Sequence, residues 1–175
     1  MRAHVGLGGN LGDVAASFDS ALHMLDTLAD TRVAAVSRRY RTPPWGETAQ
    51  PPFLNAVAAL DTALAPEALL DALLDIERAH GRDRGADALR WGPRTLDLDL
   101  LTYGERSIDT PRLTLPHPRI HQRAFVLVPL AEVAPGLLLP GQGRVEALRD
   151  ALGQDGIVAV EAGAPLASSP SATGP

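Results

Sequence analysis

Apolar and polar residues alternate through the chain with two periods, one near 3.6 and one of two, and these mark out its elements. "AHVGLG" near the start reads as a short strand closing in glycines. Asp13 then stands where a helix N-cap belongs. Val14, Phe18, Ala21, Leu22, Leu25 and Leu28 recur at helical spacing and predict the buried stripe of a first helix. "RVAAVSRRY" predicts a second strand. "RTPPWGETAQPP" carries four prolines in twelve residues and predicts a long loop of the kind that is commonly functional. "FLNAVAAL" returns to a period of two, with Phe53, Asn55 and Val57 on one face and Leu54, Ala56 and Ala58 on the other.

Pro66 suits the first turn of a second helix running to about His80 through Leu69, Leu70, Leu73, Leu74 and Ile76. "GRDRGADALRWGPR" is a second long loop, rich in glycine and arginine. "TLDLDLLTY" alternates strictly and predicts a strand, with "GERS" as the turn after it. "LPHPRIHQR" reads as extended. "AFVLVPLAEVAP" fits a short buried helix or an irregular apolar segment, "RVEALRDAL" a small surface helix, and "GIVAVEA" a last strand. Strands and helices are interspersed without regular βαβ spacing. The expectation is an α+β domain over 1–160, with helices packed on a mostly antiparallel sheet. The small, polar, proline-rich residues 161–175 predict a disordered tail.

Composition narrows the chemistry. The 175 residues are 45% hydrophobic and 21% charged, ordinary for one globular domain. A net charge of -5 argues against general nucleic-acid or membrane-surface binding, which needs a broad basic face. Cysteine is absent, which excludes disulfides, thiol catalysis and zinc–thiolate sites. No segment has the length or apolarity of a signal peptide or a membrane span, so a cytoplasmic location is expected. All sixteen basic residues are arginine. Coding bias explains that choice, yet it removes every mechanism that requires a lysine, including Walker A and protein-kinase phosphate binding.

"RWGPRTLDLDLL", residues 90–101, holds the sharpest chemical signal. On a strand, Asp97 and Asp99 share a face with Cα atoms about 7 Å apart. Leu96, Leu98 and Leu100 then point to the core. Two carboxylates so close resist ionising together, and a divalent cation removes the conflict. Hard oxygen ligands suit Mg²⁺, whose shell is completed by water and substrate phosphates. The plainer reading is an amphipathic strand with a solvated acidic face. Arg82, Arg84, Arg90 and Arg94 crowd the loop leading into that strand. Salt bridges to the aspartates account for one or two of them. Four guanidinium groups on a glycine-bearing loop also match the needs of phosphoryl transfer, where charge neutralisation dominates. Trp91 either packs or covers a base.

With "GGNLGD", "YRTPPWG", "FLNAV", "LTLPHPR" and "RAFVLVPLAEVAP" in the same order, this stretch resembles the 6-hydroxymethyl-7,8-dihydropterin pyrophosphokinase family of folate biosynthesis, over roughly residues 5 to 136. The resemblance implies a ferredoxin-like three-layer α/β/α sandwich. It implies transfer of pyrophosphate from ATP to the pterin hydroxymethyl group, with two Mg²⁺ ions and AMP as product. Asp97 and Asp99 match the metal ligands, and Arg82 and Arg94 the catalytic-loop arginines. Phe53 and Phe125, core residues on the plainer reading, match the rings that hold the pterin. Asn55 matches the polar group at its edge, with Thr42, Pro43 and Trp45 on the pterin-side loop and Asp97 within reach. Glu77, Arg84, Trp91, Arg94, Arg112, Thr114, His117 and Arg123 match nucleotide-binding positions. The chain departs from the family in the second glycine of "LGGN", in a longer loop between Arg84 and Trp91 without lysine, and in the bulk of Trp45. Partners are then the two small-molecule substrates, with no nucleic acid or membrane, and a monomer as the working unit.

His117 and His121 stand four apart, but Pro116 and Pro118 make a helical metal pair implausible. His117 suits a ribose or phosphate contact and His121 an exposed position. His4, His23 and His80 read as structural or surface residues. Two other classes remain open. Gly6, Gly8 and Gly12 form a loose dinucleotide fingerprint, which lacks the acidic residue at the end of a second strand. A non-catalytic nucleotide- or pterin-binding domain would keep the pocket and lose the chemistry; retention of both aspartates and both arginines argues against it.

Overall fold

The structure, a computed structural model, describes residues 1–44, 49–81 and 93–161. Strand β1 spans Arg2–Gly9 and helix α1 Val14–Asp26; strands β2, β3 and β4 span Thr31–Val36, Arg39–Thr42 and Phe53–Thr62. Helix α2, Pro66–Ala79, leads to β5, Asp97–Tyr103. Two short hairpins follow, β6 (Ile108–Asp109) with β7 (Thr114–Leu115), and β8 (Leu138–Leu139) with β9 (Gly143–Arg144). Between the hairpins lies α3, Ala124–Val133; after them come α4, Val145–Leu152, and β10, Val158–Glu161.

The helices start where local chemistry says they should. Asp13 accepts the Ala16 N–H at 3.0 Å and opens α1. Pro66 occupies the first turn of α2, where its missing N–H costs nothing, and Gly81 at φ +78° follows that helix's last turn. Their stripes, Phe18, Ala21, Leu22 and Leu25 on α1 and Leu69, Leu73 and Ile76 on α2, are buried as the spacing requires. Each fully buried leucine contributes about 1.5–3 kcal/mol relative to exposure.

The main sheet runs β10-β3-β4-β1-β5, with β2 also paired to β4, and every pairing is antiparallel. Strands joined through a helix, β1 to β2 and β4 to β5, are each separated by one strand. That doubled split β-α-β arrangement is the ferredoxin-like order. One face packs Val5, Leu7, Ala58, Leu98 and Leu100 against α1 and α2. The other packs Val57 and Leu101 against Leu127 and Leu130 of α3, with Val145 of α4 beyond. Helix α3 is thus covered on both sides, which is why "AFVLVPLAEV" is apolar all round.

Two expectations are corrected here. "RVAAVSRRY" is two strands, not one. Buried Ser37 breaks it: its hydroxyl accepts the Val57 N–H at 2.9 Å and donates to the Arg38 carbonyl at 2.7 Å. A side chain that bonds backbone in this way competes with the ladder. The dinucleotide reading also fails. Gly6 and Gly8 lie within β1, whose neighbours β4 and β5 are both antiparallel to it, so the adjacent parallel strands of a dinucleotide-binding βαβ unit are not formed around them. Of the tail expected over 161–175, residues 162–175 lie outside the described residues.

Candidate active site

The site is built on the sheet face that carries α3. Cross-strand pairs put Gly6 opposite Asp99 and Val57, and Gly8 opposite Asp97 and Asn55. Directly paired residues share a face. The two glycines therefore form a bare strip down β1, with the carboxylates of β5 on one side and Asn55 of β4 on the other. A Cβ added to Gly8 would lie 3.1 Å from Asn55 Oδ1 and crowd that carboxamide, while one at Gly6 would only touch Leu101 at 3.6 Å. Above it opens a cleft of about 810 Å³, counted out into open solvent. Phe53, Thr42, Pro43 and Asn55 line one end; Arg94, Asp97, Asp99, Arg123 and Phe125 line the rest. Leu101 keeps the phase of Asp97 and Asp99 and faces α3; the register shift in the β1–β5 pairing beside it then ends the alternation of β5, so Tyr103 packs on the opposite face.

Each aspartate is met by a guanidinium. Arg94 Nη1 lies 2.5 Å from Asp97 Oδ2, and Arg123 Nη1 lies 3.4 Å from Asp99 Oδ2. The second arginine comes from the start of α3, not from the loop before β5. Arg123 Nε is buried without a hydrogen-bond partner, a donor that an entering anion could satisfy. Burial chiefly pulls the Arg123 pKa down, Asp99 opposing and Arg119 adding to the fall. His117 is likewise pulled down by burial, against the attraction of Asp99. Its N–H donates to the Leu101 carbonyl at 2.8 Å, and its Nδ1 accepts the Arg119 N–H at 3.2 Å. Arg119, a further cation beside His117 and Arg123, closes the block "LTLPHPR", where the flanking prolines draw attention to His117 and not to this arginine.

Polar support lies under the walls. Asn55 Nδ2 donates to Thr42 Oγ1 at 2.7 Å, which holds the carboxamide upright with Oδ1 above Gly8. Glu77, only 1% exposed, reaches from α2 to accept the Leu98 N–H at 2.7 Å. Since β5 ends the sheet, this carboxylate covers an edge N–H between the two aspartates. Glu77 therefore lies beneath β5 rather than on the cleft wall.

The structure brings Asp97, Asp99, Arg94, Arg123, Phe53, Asn55, Thr42, Pro43 and Phe125 together in one cleft. Arg112 instead pairs with Asp71 of α2, and Thr114 bonds Asp109 at 3.3 Å within the small hairpin. His117 stands behind Asp99, off the lining. Trp45, Arg82, Arg84 and Trp91 lie outside the described residues. His121, expected to be exposed, is half-buried with Nδ1 unpartnered. The short helical turn Ile120–Gln122 folds it inward, a conformation that "LPHPRIHQR" did not announce. His4 is buried, with Nδ1 2.7 Å from Thr102 Oγ1, and is structural.

No group of three or more His, Asp or Glu side chains able to hold a metal occurs among the described residues. Two carboxylates at alternate strand positions still suit a hard cation whose remaining ligands are water and phosphate oxygens. Such a donor set, beside guanidinium groups and with two phenylalanines in the same lining, is the chemistry of a phosphate-handling enzyme cleft.

Comparison with known proteins agrees with that class. The family profile for 7,8-dihydro-6-hydroxymethylpterin-pyrophosphokinase (HPPK) matches residues 4–135, and the chain belongs to this family. A 2-amino-4-hydroxy-6-hydroxymethyldihydropteridine pyrophosphokinase of Methylorubrum extorquens is 49% identical over 160 residues, 91% of this chain and 99% of the relative. The enzyme of that name from Pseudomonas aeruginosa is 52% identical over 140 residues, 80% of this chain and 85% of the relative. A Plasmodium falciparum HPPK-DHPS triple mutant crystallised with STZ-DHP superposes with a TM-score of 0.69 at 13% identity, over 86% of this chain, which spans 43% of that structure's chain. At that identity the likeness concerns the fold alone.

Proposed function

We propose that this chain transfers the pyrophosphoryl group of ATP to the hydroxymethyl oxygen of 6-hydroxymethyl-7,8-dihydropterin, giving AMP and the pterin diphosphate on the route to tetrahydrofolate. The observation that carries the reading is the shared cleft, whose lining holds the paired carboxylates and arginines together with Phe53, Phe125 and Asn55. Asp97 and Asp99 would hold Mg²⁺, two ions being expected. When bound, Mg²⁺ would neutralise phosphate charge and fix the polyphosphate.

The protein's own share is positioning. The pterin ring lies between Phe53 and Phe125, with Asn55 Oδ1 accepting from its polar edge and Asp97 close by. Thr42, Pro43 and Trp45 complete the pterin side. Arg94 and Arg123 contact phosphate oxygens, assisted by Arg82 and Arg84, while Trp91, Arg112, Thr114 and His117 serve the nucleotide. Glu77 acts from below by holding β5. The hydroxymethyl oxygen attacks the β-phosphorus, the bond from the β-phosphorus to the α,β-bridging oxygen breaks, and AMP leaves. The hydroxyl proton passes to solvent, because a loose transition state needs little early deprotonation.

Residues 1–160 are proposed to act as one catalytic domain, in the cytoplasm and as a monomer. No helix among the described residues is long and apolar enough to cross a membrane. The test is AMP release from ATP, Mg²⁺ and the pterin alcohol. Release that requires the alcohol supports the reading; ATP and pterin binding without release points to a non-catalytic domain.

A further inference from the structure

Asn10 lies just past β1 and is 7% exposed, yet no role at the cleft falls to it above. Its carboxamide joins two chain segments that are far apart in sequence. Oδ1 accepts the Arg94 N–H at 2.9 Å. Nδ2 donates to Gln50 Oε1 and to the Pro51 carbonyl, each at 3.1 Å. The backbone repeats the first link, since the Asn10 and Leu11 N–H groups both donate to the Arg94 carbonyl, at 2.9 and 3.1 Å. Gly9 permits the approach: a Cβ there would lie 2.8 Å from the Thr95 carbonyl.

Arg94 carries the guanidinium that meets Asp97 on the phosphate side. Pro51 precedes by two residues Phe53, the ring on the pterin side. The acceptor and donors of one planar group thus set the distance between the two halves of the site, measured from the end of a rigid strand. No other side chain substitutes simply. Aspartate offers no donor, and glutamine adds a methylene.

We propose that Asn10 is a positioning residue that registers the phosphate-binding side of the cleft against its pterin-binding side. The inference rests on the function proposed above. Attack needs the hydroxymethyl oxygen and the β-phosphorus at near-contact distance, and a displacement of about 1 Å between the halves can cost on the order of a hundredfold in rate. Each ligand binds its own half, so binding of either alone depends little on that register.

The test compares Asn10→Ala and Asn10→Asp with the wild type in three measurements: kcat for AMP formation, binary Kd for a non-hydrolysable ATP analogue and for the pterin alcohol, and amide hydrogen exchange. Both variants should lose about tenfold or more in kcat, with each binary Kd within about threefold of wild type. In Asn10→Asp the Arg94 amide should keep its protection and Phe53 should lose it; in Asn10→Ala both should exchange faster. A folded variant with wild-type kcat would overturn the proposal, as would a kcat loss matched by loss of binary affinity. Should neither variant fold, Gln50→Ala must reduce kcat by about threefold with the same split, and unchanged kcat overturns it. An inactive wild type would sink the proposed reaction instead, while hydrogen exchange would still decide whether Asn10 holds both segments.

Discussion

Gly8 stands directly across from Asp97 in the β1–β5 pairing, and a Cβ at Gly8 would lie 3.1 Å from Asn55 Oδ1. The carboxylate that would hold metal and the carboxamide that would read the pterin are therefore separated by a position where an added Cβ would crowd the carboxamide. Gly8→Ala should push Asn55 off its 2.7 Å bond to Thr42 and weaken pterin binding by about tenfold, the worth of one buried hydrogen bond and its geometry. Titration of the pterin alcohol checks this, with the denaturation midpoint expected to change little. Gly8→Val, bulkier at the same spot, should abolish binding.

Glu77 offers a separable test of how β5 is held. Its buried carboxylate accepts the Leu98 N–H, so Glu77→Ala leaves an edge donor unsatisfied and should cost about 1–3 kcal/mol of stability. Glu77→Gln keeps an acceptor and should cost less. Urea denaturation measures both. Turnover should fall further in the alanine variant, because Leu98 sits between the two aspartates.

A pH effect on stability follows from His4. Burial, with a smaller contribution from Arg2, lowers its pKa from 6.5 to about 4. Between those values the unfolded chain binds more protons than the native one, so stability rises with pH. The contribution is complete above pH 6.5 and is lost as pH falls through 4, on the order of 3 kcal/mol in all. His117, shifted in the same direction, adds to the trend. Stability measured from pH 7 to 4 should therefore slope downward, and His4→Gln should flatten part of that slope.

The elements whose causes are local could be read from the sequence. Asp13, Pro66 and the alternation of Asp97 and Asp99 are rules of a few neighbouring residues, and each holds in the structure. Phe53, Asn55 and Val57 share a face for the same reason. What escaped notice depends on distant partners. Ser37 breaks a strand by bonding Val57, Glu77 crosses from α2 to Leu98, and Arg123 reaches Asp99 from another helix. Asn10 was visible only as a letter in "GGNLGD", because its partners lie 40 or more residues away.

The central claim is that Asp97 and Asp99 together hold the metal-bound polyphosphate against a pterin hydroxyl. AMP formation by Asp97→Ala and Asp99→Ala, each checked to fold as the parent does, tests it most directly. The account predicts that each variant loses turnover almost entirely, by about a thousandfold or more. Either variant releasing AMP at a rate near that of the parent would contradict it.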